Sequence, residues 1–203
     1  MPLENWIAYV LAYAVISVIP GPSVFMVIGQ ALSRGTRAAM ACILGDLAGG
    51  VVVMTVSWLG LGLVLASSSL AFTVMKWAGV GYMACLGLAQ IRAARRLIET
   101  APAAPASSRG SLVAGFLTGV LNPKAIMFYM AFLAQFIDPA APALPQFLIL
   151  MATSTLVVGL VLGTYALLAA KAAARLQGLR ARRRMGYAGG SCLLGGSVLM
   201  ATR

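Results

Sequence analysis

Two short helix-breaking segments hold most of the residues in this chain that could do chemistry. The sequence Pro20-Gly21-Pro22 interrupts one long apolar run, and Asn122-Pro123-Lys124 interrupts another. Proline removes a backbone donor and clashes with the carbonyl four residues before it, so neither run can continue as a regular helix. Gly and Asn are favoured before a helix and Pro in its first turn, so we predict new helices beginning at Pro22 and Pro123.

These two helix starts predict a binding site for an anionic group. The first amides of a helix lack helical partners and carry its positive dipole end, which suits a carboxylate. Lys124 adds a full positive charge that requires an anion from the protein or a ligand, and Asp46 supplies the complementary negative charge, either by pairing with an ammonium group or by carrying a coupling proton. The candidate substrate-binding residues are Pro20, Gly21, Pro22, Ser23, Asn122, Pro123 and Lys124, with Asp46 for charge pairing or proton coupling.

Each feature also has a structural interpretation. A single proline in a membrane helix usually only kinks it, whereas two breaks at matching depth favour a functional role. Asp46 and Lys124 could instead neutralise each other as a structural ion pair. The carbonyls of Ile16 and Val18 lose their helical donors to the prolines and must face protein, water or a ligand. Unwound carbonyls can coordinate ions, so an inorganic-cation exporter or channel is the alternative function.

The composition places these residues in a membrane. Of the 203 residues, 61% are hydrophobic and only 9% are charged, and the mean hydropathy is +0.95. A soluble domain would have about a quarter charged residues, and several apolar runs approach the roughly 20 residues that cross a bilayer. The net charge of +11 comes mainly from arginines between these runs, so the expected partner is the lipid bilayer and not nucleic acid.

The apolar runs predict an all-α polytopic membrane protein with six transmembrane helices, of which the first and fourth are broken. A Pro-, Ala- and Ser-rich linker over 99–110 separates a three-helix repeat at 1–98 from another at 111–203. Because three is odd, the repeats insert in opposite directions and form a 3+3 inverted repeat. The six segments are expected at about 6–31, 38–65, 72–91, 112–136, 144–170 and 187–201, and the sixth is short and glycine-rich.

Basic residues predict the orientation. Arg34 and Arg37, the arginines at 92–96 together with Arg109, and the basic run over 171–184 follow segments one, three and five. Loops rich in Lys and Arg stay in the cytoplasm, so both termini are expected on the opposite side. A charged residue within a span costs about 2.5 to 3.5 kcal/mol, so Asp46 should face the interior of the bundle.

The remaining chemistry is sparse. The chain has no histidine, and its three cysteines lie in apolar segments without CxxC spacing, so we expect no metal site and no cofactor. Only four acidic residues exist, and all but Asp46 are at or outside the expected membrane edges, which argues against an enzyme.

Glycines spaced by four favour close packing inside the bundle over a dimer face, and a homo-oligomer stays open. These glycine pairs are Gly45 and Gly49, Gly115 and Gly119, and Gly159 and Gly163.

Several motifs in order along the first two thirds of the chain match one pattern. They are Pro20-Gly21-Pro22, Gly45-Asp46, Lys76 to Gly87, Leu121 to Ile126 and Gln135-Phe136. In these residues the chain resembles the LysE/RhtB family of amino-acid exporters. The resemblance implies a bacterial inner-membrane protein that exports amino acids or derivatives, driven by the proton motive force, with Asp46 as a functional carboxylate. In that membrane, the orientation expected from the basic residues places both termini in the periplasm. Some members have a second acidic residue near the C-terminal part, but this chain has no acid after Asp138.

Overall fold

The structure is a computed structural model that describes residues 1–60, 69–95, 108–174 and 179–202. All regular elements in these ranges are helices. The first three are α1 (Leu3–Val18), α2 (Pro22–Arg34) and α3 (Thr36–Trp58). They are followed by α4 (Ser69–Arg95), α5 (Ser108–Val120), α6 (Pro123–Phe132), a 3₁₀ turn (Leu133–Phe136), α7 (Ala143–Ala174) and α8 (Leu179–Thr202).

Both predicted helix breaks are present. The helices α1 and α2 meet at an angle of 53°, and α5 and α6 meet at 44°. Pro22 begins α2 after an extended Gly21, and Pro123 begins α6 after an extended Asn122. The predicted restarts at these prolines are therefore confirmed.

The number of membrane spans is supported only in part. Among the described residues, α3 and α7 are long and apolar enough to cross a membrane, and each bent pair would add one span, which gives up to four. The helices α4 and α8 have 27 and 24 residues and are long enough to span a membrane. Neither is among the helices whose described residues are both long and apolar enough for a span. The six-span inverted repeat therefore remains an expectation. The expected linker lies outside the described residues except for its last three, which begin α5.

Glycines allow α3 and α5 to approach each other closely. A Cβ atom added at Gly45 would lie 1.9 Å from the carbonyl oxygen of Leu112, and one added at Gly115 would lie 1.9 Å from that of Cys42. Gly49 and Gly119 face similarly short approaches, of 2.6 and 2.5 Å to backbone oxygens. The predicted close packing is confirmed for these two glycine pairs.

The third glycine pair behaves differently. A Cβ at Gly159 would meet only the side chain of Leu47, at 3.6 Å, and one at Gly163 would meet nothing within 4 Å. The spacing prediction is wrong for this pair, because glycine spacing gives no information about which helix face has a neighbour.

The helices α4 and α8 form a second close pair. A Cβ at Gly87 would lie 2.9 Å from the carbonyl oxygen of Gly190, and one at Gly190 would lie 2.8 Å from that of Gly87. At one end of the pair, Arg183 Nη2 donates to the carbonyl oxygen of Arg95 at 3.2 Å. This contact brings two of the basic segments, the arginines at 92–96 and the run over 171–184, to the same end of the bundle.

Two buried clusters lie on either side of the helix breaks. One joins α2 to α3, α7 and α8 through residues such as Val27, Ile43 and Leu162. The other joins α1 to α3, α6 and α7 through residues such as Tyr9 and Phe128. Because α3 and α7 contribute to both clusters, they connect the packing around α2 with the packing around α1 and α6.

Candidate functional site

The two helix breaks touch each other. Asn122 Nδ2 donates to Ser23 Oγ at 3.0 Å, which links the residue before α6 to the first turn of α2. A Cβ at Gly21 would lie 3.3 Å from Lys124 Nζ, so the glycine leaves room for the lysine side chain. Segments far apart in the sequence thus meet at the points where their helices are interrupted.

Asp46 lies beside this junction and faces the interior, as predicted. Its side chain is only 5% exposed, and Ser23 Oγ donates to its Oδ1 at 2.5 Å. Close packing of α3 on α5 fixes its position, because a Cβ at Gly119 would lie 2.5 Å from the carbonyl oxygen of Asp46. Hydrogen bonds therefore connect Asn122, Ser23 and Asp46 across three helices.

Lys124 has partners that differ from those expected. Its Nζ donates to the carbonyl oxygens of Ile16 at 3.1 Å and Ile19 at 2.7 Å. These carbonyls belong to the end of α1, where the helix dipole is negative, so they stabilise the charge of the ammonium group by direct contact. Among the described residues, no carboxylate hydrogen-bonds Lys124 Nζ, so the expected anionic partner is not in contact with it, and the alternative of a direct ion pair with Asp46 is not formed.

The carbonyls released by the first break face protein, as predicted. Ile16 accepts from Lys124, and Val18 accepts from the hydroxyl of Tyr165 at 2.9 Å. Backbone carbonyls without helical partners are not tolerated against lipid, and these two side chains satisfy them.

The starts of α2 and α6 are not equivalent. The Asn122 side chain accepts from the backbone N–H of Lys124 at 3.1 Å and so caps α6. Gly21 has no side chain, and no side chain caps α2. The expectation of two similar positive helix ends is therefore corrected, because the start of α2 is the more open of the two.

An open cavity lies at this junction, and the empty space inside it together with the open space at its mouth amounts to about 700 Å³. Four of the predicted site residues line it, namely Ser23, Asp46, Asn122 and Lys124. The other four shape the backbone of the breaks without being among the lining residues: Pro20, Gly21, Pro22 and Pro123.

Sequence reasoning missed five hydroxyl-bearing residues of the cavity, which are Tyr13, Ser17, Tyr129, Ser154 and Thr155. Tyr13 of α1, Tyr129 of α6 and Ser154 of α7 all line it and are at most 5% exposed. No motif marks them, because a tyrosine or serine in an apolar segment is common. The only feature of the sequence that could have identified them is a polar side chain within a predicted membrane span.

Replacing Lys124 with methionine is expected to destabilise the protein. The substitution keeps much of the apolar stem but leaves the carbonyls of Ile16 and Ile19 without their donor. The cost is about 1–3 kcal/mol for a buried group and applies to the partly buried carbonyl of Ile16. Thermal unfolding of the purified protein in detergent should show a lower midpoint. Lys171→Met, at an exposed position of α7, is the matched control. Equal midpoints for the two variants would contradict this role for Lys124.

Comparison with known proteins identifies the family of this chain. Residues 14–202 match the family described as LysE type translocator. The chain belongs to the LysE family. Members of this family are transporters, so this LysE translocator is a membrane transport protein and not an enzyme.

Three relatives align along the whole chain. A homoserine/homoserine lactone efflux protein of Salmonella typhimurium strain LT2 is 36% identical over 205 residues, which cover 100% of this chain and 99% of the relative. The protein of the same name from Salmonella typhi is 35% identical, with the same coverage. An uncharacterised membrane protein of Vibrio cholerae is 34% identical over 202 residues, which cover 100% of this chain and 98% of that protein. No solved structure gives a significant match.

Proposed function

We propose that this LysE translocator exports an amino acid or a small derivative, of which homoserine is the first candidate, across the bacterial inner membrane. The efflux proteins named for homoserine and its lactone, which align along the full chain, support the substrate class. One observation carries the proposal. The buried carboxylate of Asp46 and the uncapped start of α2 lie at the same cavity.

The two ends of a zwitterion match these two groups. A substrate ammonium group would pair with the Asp46 carboxylate, which is the one acidic side chain among the described residues that line the cavity. The substrate carboxylate would accept from the amides at the start of α2, where Ser23 and Val24 line the cavity. Lys124 lies close enough to Gly21 to add positive potential at the same place.

One carboxylate can explain coupling to the proton motive force. Asp46 can hold a proton or pair with an ammonium group, but a protonated carboxyl has no charge to pair. Proton and substrate would therefore compete for Asp46. Competition of this kind at a site that opens alternately to the two sides exchanges protons moving inwards for substrate moving outwards.

The proposal includes the expected topology of six spans in two inverted repeats, with cytoplasmic basic loops and periplasmic termini. The similar bends at Pro22 and Pro123 support an internal repeat, because broken helices at corresponding places are typical of such transporters. The contact between Arg183 and Arg95 supports a shared basic end of the bundle.

The alternative of an inorganic-cation exporter or channel finds less support. It requires free carbonyls at the break, yet those of Ile16, Val18 and Ile19 already accept hydrogen bonds from Lys124 and Tyr165. A lysine ammonium group beside these oxygens also repels a metal cation. The geometry favours an organic substrate with both charges.

The function is tested with the purified full chain in vesicles. With an imposed proton gradient, labelled homoserine is expected to move against its own concentration gradient in the direction opposite to the protons, and a protonophore should stop this movement. Empty vesicles give the background. Potassium or sodium flux without any homoserine movement would favour the cation alternative and overturn the proposal.

A further inference from the structure

Three buried hydroxyl-bearing side chains form a second polar group at the cavity, which we call the hydroxyl cluster: Tyr13, Tyr129 and Ser154. They come from α1, α6 and α7 and line the same cavity as Asp46. They are 5%, 4% and 3% exposed, respectively. The proposed contacts of the substrate's ammonium and carboxylate groups do not use them.

The hydrogen bonds of the cluster leave it able to bind a ligand. The hydroxyls of Tyr13 and Tyr129 are 2.6 Å apart, so one donates and the other accepts. The hydroxyl of Tyr129 also hydrogen-bonds Ser154. Because a phenol has one donor and two acceptor sites, the cluster keeps lone pairs that can accept a hydrogen bond from a ligand. Ser154 Oγ is bonded to the hydroxyl of Tyr9 and donates to the carbonyl oxygen of Leu150 at 2.8 Å.

Aromatic packing holds the phenol groups in place. The ring of Tyr13 stacks on those of Tyr9 at 5.7 Å and Tyr129 at 5.8 Å, and Phe128 approaches it at 5.0 Å. Phenylalanine would give much the same packing, and a hydroxyl buried in a membrane protein requires a hydrogen-bond partner. The hydroxyls therefore add hydrogen-bonding groups that ring packing does not need.

The rest of the wall near the cluster is apolar or neutral. Met54, Met151 and Val158 line the cavity, and the described lining residues include just two charged ones, Asp46 and Lys124. A charged substrate side chain would have to compete with the substrate's own ammonium and carboxylate groups for these two charges. An uncharged group that can donate or accept a hydrogen bond would find partners there.

We propose that the hydroxyl cluster is a specificity subsite that binds an uncharged, hydrogen-bonding group at the end of the substrate side chain. This inference rests on the proposed function, and it assigns the substrate class as small amino acids or derivatives with a neutral polar side chain. A site that hydrogen-bonds a substrate hydroxyl discriminates against analogues without it, because the analogue forms no hydrogen bond in place of the one that the hydroxyl makes.

The test compares two substrates of nearly equal shape in vesicles that contain the full chain. Homoserine ends in a hydroxyl where norvaline ends in a methyl group. The unmodified protein is expected to transport homoserine at least about tenfold faster than norvaline at low, equal concentrations. Tyr129→Phe and Tyr13→Phe should each lower this ratio several-fold, mainly by slowing homoserine, while norvaline transport stays close to its original rate.

The control and the ratio separate specificity from a structural role. Tyr82→Phe removes a hydroxyl that is not at the cavity and should leave the ratio unchanged. A purely structural defect slows both substrates equally, so unchanged ratios in both cavity variants would overturn the inference. If the unmodified protein transports both substrates equally well, the subsite is refuted while the proposed function stands. If it transports neither amino acid, the proposed function fails and the subsite fails with it.

Discussion

Asp46→Asn is expected to abolish export, with an initial rate of homoserine movement roughly 100-fold or more below that of the unmodified protein. Asparagine preserves the shape and an oxygen that can accept from Ser23 Oγ, but it holds neither a negative charge nor an exchangeable proton. Removing one partner of a buried charge pair costs about 3 kcal/mol or more, and 1.4 kcal/mol corresponds to a tenfold change. Loss of proton coupling adds to this effect.

The measurement is proton-driven homoserine transport in vesicles at matched protein content. Glu4→Gln is the matched control, because it removes a carboxylate at an exposed position in the first turn of α1. The thermal midpoint of Asp46→Asn should stay close to that of the unmodified protein, which would locate the defect in function. Transport by Asp46→Asn within twofold of normal would remove this residue from the mechanism.

Gly115→Ala is expected to prevent stable folding. The added Cβ would lie 1.9 Å from the carbonyl oxygen of Cys42 and 3.0 Å from the backbone nitrogen of Asp46. These are backbone atoms in the middle of α3, so relief requires α3 and α5 to separate. Overpacking of an interior typically costs about 1–3 kcal/mol, and we expect the upper end or more because no flexible side chain can yield.

Membrane yield and the thermal midpoint in detergent test this expectation. Gly110→Ala changes the same helix at a position where an added Cβ meets nothing within 4 Å, and it should behave like the unmodified protein. Equal stability of the two variants would show that α3 and α5 are farther apart than the structure places them.

The sequence was most informative where local chemistry decides the structure. Because proline cannot continue a regular helix, the sequence predicted the exact residues, Pro22 and Pro123, at which the new helices begin. The capping role of Asn122 followed from its side chain. The position of Asp46 followed from the cost of exposing a charge to lipid. These predictions depend on a residue and its immediate neighbours along the chain.

The features that were missed depend on tertiary contacts. Lys124 contacts carbonyls more than 100 positions earlier in the chain, and nothing near it in the sequence identifies them. The hydroxyl cluster unites three helices, and no local pattern connects Tyr13 with Ser154.

Ser23 and Lys124 each directly follow the proline that begins their helix, yet one contacts Asp46 and the other holds the end of α1. Two identical subunits could not provide this difference. A pair of lysines would place two like charges together at the centre, and a pair of serines would leave the end of α1 without its donor. A single polypeptide that contains both breaks can place a serine after one proline and a lysine after the other. Two identical copies of one half would lose either the contact with Asp46 or the contact with the end of α1.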